Sequence, residues 1–434
     1  VTHAGQSWGR WPRHVPAAVT VLASRDQALP PAASMLPYGN GRSYGDVCQN
    51  EGGTLLAARG LDRFISFDEV SGVLECEAGV LLSEIIDFAL PRGWFPPVTP
   101  GTAFVTVGGA IANDVHGKNH HRAGSFGNHV LDFELLRSDG SVLQCSATHN
   151  RDWFAATVGG LGLTGAIRRA RLRLRRVPGP WIRGDSRRFG SIDEFFAIAA
   201  KSDSDYEYTV AWIDCAAAGR RLGRGIFMRG NHAPDGDASP RSLRLRMPLT
   251  PPLSLVNGAT LYAFNQLYYR RPAAEQRDAL WHYRPFFYPL DGILEWNRMY
   301  GPRGFFQYQC AVPDQGAAEA LNEMLRRIAR SGLGSFLVVL KTFGRVPSLG
   351  MLSFPRPGAT LALDFPNRGG RTLALLESLD EITRSVGGAV YPAKDARMSG
   401  ASFRQYFPGW REFAGYVDPR FSSSFWRRVM EGSS

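Results

Sequence analysis

The chain has 434 residues, 44% of them hydrophobic and 21% charged, with a formal net charge of +11 and a pI near 9.7. That size allows two or three domains with ample core, and the composition excludes collagen-like and low-complexity architectures. No uncharged apolar run approaches the ~18 residues of a membrane-spanning helix, and five single cysteines without a Cys-x-x-Cys pair exclude a disulfide frame or a structural zinc site.

The positive charge is scattered, with local clusters at 168–176 and 241–246. Such scatter fits a solvated basic surface, or one facing phosphate or anionic lipid, better than a nucleic-acid interface. Residues 1–11 are polar and aromatic with no apolar core, so no signal peptide is expected. The expected setting is cytoplasmic and reducing, with peripheral contact at a membrane. No metal and no nucleic-acid partner are expected.

Taken in order, residues 1–30 form a short lead-in with an apolar run at 19–22. Residues 37–46, Pro-Tyr-Gly-Asn-Gly-Arg-Ser-Tyr-Gly-Asp, have no apolar period. Gly39, Gly41 and Gly45 with Arg42, Ser43 and Tyr44 suit a cradle for phosphate and a ring, because backbone N–H groups and guanidinium both attract anions. Short alternating runs at 54–57, 64–67 and 73–78 predict strands, and helical spacing over 81–90 stops before Pro91-Arg92-Gly93.

The stretch 97–130 gathers six glycines and four of the nine histidines, His116, His120, His121 and His129. Its first half runs from Pro100, Gly101 and Thr102 through Val107, Gly108, Gly109 and Ala110 to Asn113, and lets the backbone approach a large polar cofactor. Its second half, from His116, Gly117, Lys118 and Asn119 onward, supplies titratable donors at the cofactor's edge. His120, His121 and His129 fit equally well as hydrogen-bonding residues that order the loop.

Asp139-Gly140 between apolar runs at 131–136 and 142–145 marks a hairpin, and 151–158 reads as a short helix. Gly160-Leu161-Gly162-Leu163-Thr164-Gly165 matches the dinucleotide fingerprint letter for letter. A Rossmann site needs a strand before it and a helix after it, whereas here a helix precedes and an alternating apolar/basic run follows. Gly160, Gly162, Gly165 and Ile167 are therefore read as a second piece of the cradle, and Arg171, Arg173 and Arg175 as the solvated face of an edge strand.

Val177-Pro178-Gly179-Pro180 marks a domain boundary. Beyond it come a helix at 192–201, strands at 206–214 and 225–229, and a polar, Pro/Gly-rich, basic excursion over 229–252 that reads equally as a lid or as an ordinary disordered excursion. An aromatic run at 281–288, a strand at 305–312, an amphipathic helix at 315–331, strands at 336–341 and 360–365, and a helix at 371–386 follow. This pattern predicts an antiparallel sheet covered by helices. Trp212 and Trp296 fit core packing, and Trp212 is also a candidate substrate contact. The fold class is α+β, with residues 1–178 as a cofactor domain, 179–388 as a substrate domain, and 389–434 returning to the first.

Residues 41–46, Thr99-Pro100-Gly101-Thr102, residues 105–112 and His116-Gly117-Lys118-Asn119-His120-His121 resemble the flavin-binding half of the vanillyl-alcohol-oxidase superfamily, with its PCMH-type fold. More narrowly, the chain resembles the decaprenylphosphoryl-β-D-ribose 2′-oxidase family. Residues 305–309, Leu352-Ser353-Phe354-Pro355 and Ala393-Lys394-Asp395-Ala396-Arg397 fit the same family, so the likeness spans nearly the whole chain. It implies a two-domain PCMH-type FAD-binding fold and FAD-dependent oxidation of a polyprenyl-phosphoryl ribose at the C2 hydroxyl. The ketone so formed would be the first half of an epimerisation to the arabinose donor for cell-wall arabinan, completed by a separate NADH-dependent keto-reductase. The resemblance places FAD on the segments around Tyr44, 100–102, 107–110, Asn113, 160–167 and Tyr391. It places His116, Lys118, Gln307, Gln309, Lys341 and Lys394 along the sugar pocket.

Oxidising a secondary alcohol needs a base for the hydroxyl proton and a hydride acceptor over the carbon. Lys394 is assigned the base, with His116 and Lys118 as the other catalytic candidates, because burial and neighbouring cations depress a lysine pKa. Asp395 and Arg397 are read as an ion pair that orients Lys394. Two positions depart from the family. Arg42 stands where some superfamily members tether FAD through a histidine, and no other His lies between His14 and His116, so the FAD is expected to be non-covalent. Ala362 stands where the best-known members carry a pocket cysteine, so thiol-directed inhibitor chemistry is expected to be absent. Two other readings stay open: an FAD oxidase of another sugar, alditol or nucleoside-like alcohol, and a non-enzymatic binder of anions or nucleic acid.

Overall fold

Period-two alternation decides which side chains each strand sends to the core and which to a cleft. The computed structural model describes residues 5–234, 245–271 and 273–431. Ala18–Val21, Thr54–Ala57 and Met35–Tyr38 form a small parallel sheet. Five further strands, in the order Phe64–Asp68, Val73–Glu77, Ala166–Arg173, Val130–Leu136, Val142–Ser146, form an antiparallel sheet. Its residues Leu74, Cys76, Phe133, Leu135, Ala170 and Leu172 share one core with the helices Leu82–Ala89 and Val107–Ala112.

On that sheet the strand Ala166–Arg173 lies third of five, so it is not the edge strand expected from its arginines. The charges are tolerated there because carboxylates on both neighbouring strands pair with them. Arg169 lies 3.0 Å from Glu75 and 3.3 Å from Asp132, and Arg171 lies 3.1 Å from Asp132. The glycine run at 160–165 sits between the helix Arg151–Thr157 and this strand, an order no Rossmann site has.

The second sheet is antiparallel and has eight strands, in the order Glu275–His282, Trp181–Phe189, Gly225–Ala233, Tyr208–Ile213, Val338–Phe343, Gly358–Pro366, Phe305–Val312, Ala389–Val390. Tyr308, Cys310, Val338, Leu340, Leu361 and Leu363 share a core with the helices Ala317–Ser331 and Gly370–Ser385. The alternating residues Gln307, Gln309, Val339, Lys341 and Ala362 line a cleft instead. Register sets Gln307 opposite Asp364, Gln309 opposite Ala362, and Lys341 opposite Thr360.

Two stretches differ from the sequence reading. The excursion expected over 229–252 begins as strand, since Gly225–Ala233 runs through it, and residues 235–244 lie outside the described residues. Leu245–Arg246 then pairs in parallel with Ile293–Leu294. A helix at Gly258–Arg270 escaped the periodicity reading because only Leu261 and Asn265 on it are buried. Among the described residues, no helix is long and apolar enough to cross a membrane.

After Ala389–Val390 the chain leaves the large sheet and ties onto the N-terminal half. Tyr44 donates its backbone N–H to the Ala393 carbonyl at 2.9 Å, and Met35 to Arg420 at 2.7 Å. A Cβ on Gly45 would overlap the Asp395 carbonyl, so glycine lets the two segments touch. The expected Asp395–Arg397 ion pair is not formed. The Asp395 carboxylate accepts the backbone N–H groups of Arg397 and Met398 at 3.0 and 2.8 Å, while the Arg397 side chain pairs with Asp380 at 2.8 Å. Arg428 is the true partner, gripping Asp46 at 2.7 Å and Asp395 at 3.1 Å, and both carboxylates are buried. Arg428→Ala strands two buried carboxylates, and a loss of about 3–4 kcal/mol in urea unfolding is expected. An unchanged unfolding midpoint would show that the clamp is not structural.

Candidate active site

The cleft holds about 1860 Å³ of atom-free space, part of it open to solvent. Its cofactor-side wall is built from Gly39, Gly41, Arg42, Ser43 and Tyr44, from Pro100, Gly101 and Thr102, from Gly108, Gly109 and Asn113, and from Gly162, Gly165 and Ile167. Its opposite wall is the sheet face with Gln307, Gln309 and Lys341, joined by Tyr391 and Lys394 from the returning segment. His116 lies at the seam.

Local chemistry explains why these segments line a cavity. Gly41 has φ +60°, and a Cβ there would overlap the Tyr38 hydroxyl, which donates to the Gln6 carbonyl at 2.8 Å. Thr106 caps the helix Val107–Ala112 by accepting from the Gly109 N–H at 3.1 Å. The 159–162 loop is laid against the end of that helix by Gly159 N–H to the Ile111 carbonyl and Leu161 N–H to the Ala112 carbonyl, at 2.9 and 2.8 Å. Leu161 accepts φ +59° to make this fit, a cost a bulky residue bears only when its surroundings impose it. Tyr391 locks the two walls together by donating its hydroxyl to the Asn113 carbonyl at 2.7 Å.

Two buried polar atoms on the cofactor-side wall have no protein partner, Arg42 Nε and Asn113 Oδ1. Buried polar groups are nearly always bonded, so each fits a ligand group in the cleft. A Cβ added to Gly101 would meet no protein atom within 4 Å. The Arg42 guanidinium stacks over Trp8 at 4.1 Å, which fixes its plane. These features suit a ligand with both anionic and ring parts.

Several expected site residues lie elsewhere. Lys118 does not reach the cleft: its ammonium donates to the Phe286 carbonyl and sits 4.7 Å over that residue's ring. Asn119 bonds the Pro97 carbonyl and Glu207, both at 2.8 Å. Trp212 is buried and donates to the Phe336 carbonyl at 2.9 Å, within the core. Val107 and Ala110 face the core, and Gly45 and Gly160 serve close backbone packing. Gly117 touches the site through its carbonyl, which accepts from Lys341 at 3.2 Å. The remaining loop histidines are ordering residues: His120 accepts from the Gly344 N–H at 3.2 Å, and His121 and His129 meet backbone carbonyls at 3.0 and 2.8 Å.

The reactive end is a chain of contacts. Gln309 Nε2 lies 2.9 Å from His116 Nε2 and 3.1 Å from Thr360 Oγ1. With that amide donating to both, His116 Nε2 is an acceptor and its proton rests on Nδ1. Nδ1 lies 3.2 Å from Lys341 Nζ, so a neutral Lys341 amine can accept a hydrogen bond from that N–H. Burial, then the Lys341, His120 and Lys394 charges, pushes His116 well below the usual imidazole range. Burial, then Lys394, lowers Lys341 to about 7. Lys341 and Lys394 are half-buried and line the cleft.

Lys394 sits 4.0 Å over the Tyr44 ring. Burial lowers its pKa to about 8, and Asp364 opposes the drop. Asp364 itself was absent from the sequence reading. Burial raises it to about 7 against the pull of Gln307 and Lys394, and Gln307 donates to it at 2.7 Å. Its signal was present in the alternation of Thr360, Ala362 and Asp364 with Leu361 and Leu363. Asp291 was also missed: it lines the cleft and accepts the Ala103 N–H at 2.8 Å, and no local pattern marks it. Among the described residues, no group of three or more His, Cys, Asp or Glu side chains could hold a metal ion.

The FAD binding domain family matches residues 17–146. The decaprenylphosphoryl-beta-D-ribose oxidase of Mycolicibacterium smegmatis is 38% identical, over 96% of this chain and 96% of that protein. An uncharacterized protein of Streptomyces coelicolor is 36% identical over 81% of this chain and 100% of its own length. Cytokinin dehydrogenase 8 of Oryza sativa is 28% identical over 44% of this chain and 38% of its own. The matched FAD binding domain contains the 39–45 loop and the 100–113 stretch, and the unpartnered Arg42 and Asn113 atoms and the open space at Gly101 fit FAD. Gly101→Leu is expected to leave the urea midpoint of the apoprotein unchanged and to lower the flavin retained on purification, read as the visible-to-ultraviolet absorbance ratio. Full flavin retention would remove Gly101 from the cradle.

Proposed function

This chain belongs to the decaprenylphosphoryl-β-D-ribose oxidase family and is an FAD-dependent oxidoreductase, and from that premise we propose that it oxidises a polyprenyl-phosphoryl-β-D-ribose at the C2 hydroxyl to the 2-ketone. An FAD-dependent oxidoreductase is not the non-enzymatic anion or nucleic-acid binder that composition had left open. The observation that carries the substrate reading is the cluster of His116, Lys341 and Lys394 lining the flavin cleft. It offers a base and neutral hydrogen-bonding groups for a sugar hydroxyl in one space.

Bound FAD supplies the hydride acceptor for the ribose C2–H. Arg42 in place of a tethering histidine makes that FAD non-covalent in this reading. Lys394, poised near the working pH, takes the hydroxyl proton in its neutral form. His116 is neutral and, held by Gln309 and Lys341, orients the sugar. Gln307 ties Asp364 in place, and Asp364 sets the Lys394 pKa. The 2-keto product calls for a reductase, and a separate NADH-dependent enzyme acting in the cytoplasm completes the epimerisation in this proposal.

Anaerobic bleaching of the bound flavin by a prenyl-phosphoryl ribose, set against free sugars and alditols, tests the substrate. Bleaching by free alditols alone would move the assignment to another alcohol. The bleaching rate is expected to rise as pH passes about 8, where Lys394 becomes neutral. Lys394→Ala should keep its flavin and slow bleaching roughly 100-fold or more. Asp364→Asn removes the anion that raises the Lys394 pKa, so its rate limb should move to lower pH. A limb that stays in place, or normal bleaching by Lys394→Ala, would refute these roles.

Ala362 lines the cleft opposite Gln309 and Val339 and offers no thiol. Cys48 is the cysteine in the cleft lining, and burial followed by Asp46 pushes its thiol up to about 12. Iodoacetamide at neutral pH is therefore expected to leave flavin reduction unchanged. Rapid inactivation with an adduct on Cys48 would contradict this.

A further inference from the structure

A second surface of the molecule is out of keeping with a water-facing protein. Leu245, Leu249, Leu253, Leu255, Tyr262 and Leu267 are all exposed, Leu253 to 78% and Leu267 to 73%. Scattered exposed leucines are normal, whereas several gathered within one short stretch of chain point to an interaction site. This run is held in place rather than loose. Leu245, Met247 and Leu255 donate their backbone N–H groups to Gly292, Leu294 and Met299, and Arg298 donates to the Met247 and Pro248 carbonyls.

The helix Gly258–Arg270 continues the surface. Asn257 caps its start by accepting from the Ala259 and Thr260 N–H groups. Its inner edge is anchored by buried Leu261, by Asn265 donating to Asp214 at 2.7 Å, and by Tyr268 against Trp212 at 4.8 Å. Phe264 packs on Phe336 and the Tyr269 ring faces Arg188 and Arg224, while Tyr262 and Leu267 stay exposed, and the helix carries no acidic residue. From 245 to 271 the only charged residues are Arg246, Arg270 and Arg271. Glu295 lies 3.7 Å from Arg246 and partly neutralises it, which leaves Arg270 and Arg271 as the segment's main charge. Leucine and tyrosine flanked by arginine, with no carboxylate within the segment, is the chemistry of an interfacial segment on anionic lipid.

The surface also adjoins the cleft. Phe264 packs on Phe336 at 4.9 Å, and the next residue, Leu337, lines the cleft. Leu245 pairs in register with Ile293, close to the cleft residues Leu290 and Trp296. We propose that residues 245–271 dock the protein onto an anionic lipid bilayer, with the apolar side chains in the interface and the arginines at the headgroups. Resting on the polyprenyl-phosphoryl reading of the substrate, this docking lets a lipid-borne sugar phosphate reach the flavin cleft without leaving the membrane.

The test is flotation of the full FAD-loaded chain with phosphatidylcholine vesicles, with and without phosphatidylglycerol. Wild type should float with the anionic vesicles and little with the neutral ones. Leu253→Asp/Leu267→Asp should lower the bound fraction roughly tenfold, and Arg270→Glu/Arg271→Glu should remove the preference for phosphatidylglycerol. Both variants alter exposed side chains, and their flavin absorbance and bleaching by a water-soluble short-chain prenyl-phosphoryl ribose should match wild type. Failure of wild type to float with anionic vesicles overturns the proposal, as does unchanged flotation of the leucine variant. So does a wild-type dimer in light scattering that the leucine variant abolishes without any vesicle binding, which would make the patch a contact between copies. If vesicles bind but the soluble substrate does not bleach the flavin, the substrate reading falls and the docking surface stands.

Discussion

Burying several basic groups in one small space forces most of them to give up their protons, because each charge pays for desolvation and repels the next. His116 and Lys341 obey this constraint by sharing one hydrogen-bonded chain with Gln309, in which neither needs to be charged. Lys394 resists it because Asp364 lies within electrostatic reach. The cleft thus sorts three bases: two that hydrogen-bond without needing charge, and one, the proposed base, that titrates near the pH at which it would accept a proton. A general base works best when its pKa is close to the operating pH, and this arrangement reaches that point by subtraction.

The fold delivers these groups from distant parts of the chain by a few local devices. The large sheet sends apolar residues to its helices and polar ones to the cleft on alternate positions, so the same strand builds core and site. The glycine segments of the N-terminal half make the facing wall by keeping side chains out of the way. The C-terminal return supplies the last group, and the Arg428 clamp on Asp46 and Asp395 holds that return against the 39–45 loop. Lys394 is accurate because it is one residue from a buried carboxylate bonded on several sides.

Features encoded by neighbours along the chain were legible in the sequence. The strand runs, the Asp139-Gly140 hairpin, the glycine cradle and the false Rossmann fingerprint all follow from spacing within about ten residues. Features that depend on which strand lies beside which were not. The Arg171 face looked like an edge because its carboxylate partners come from strands nearly 40 and 100 positions away. Lys118 looked catalytic because it shares a motif with His116, yet two positions along this turn its side chain faces Phe286. Asp395 and Arg397 are close in sequence but choose Arg428 and Asp380. The helix Gly258–Arg270 left no apolar period because its exposed face is as apolar as its buried edge, which is itself the clue to what that face does.

Ala362 shows how little of the pocket the chemistry itself requires. It sits mid-strand between Gln309 and Val339, and its methyl group makes no hydrogen bond to any of the titrating residues. Exchanging a thiol for a methyl at that point removes a weak donor and a reactive sulfur and alters the pocket's shape by little more than one atom. The proposed base Lys394, the hydrogen-bonded chain through His116 and the carboxylate at Asp364 are untouched, since each is held from other positions on the sheet or from the returning segment. Alcohol oxidation needs a base and a hydride acceptor, and neither depends on a sulfur atom. The residue at this position therefore bears on what can be trapped or accommodated in the cleft, while the hydrogen-bonded chain of Gln309, His116 and Lys341 is independent of it.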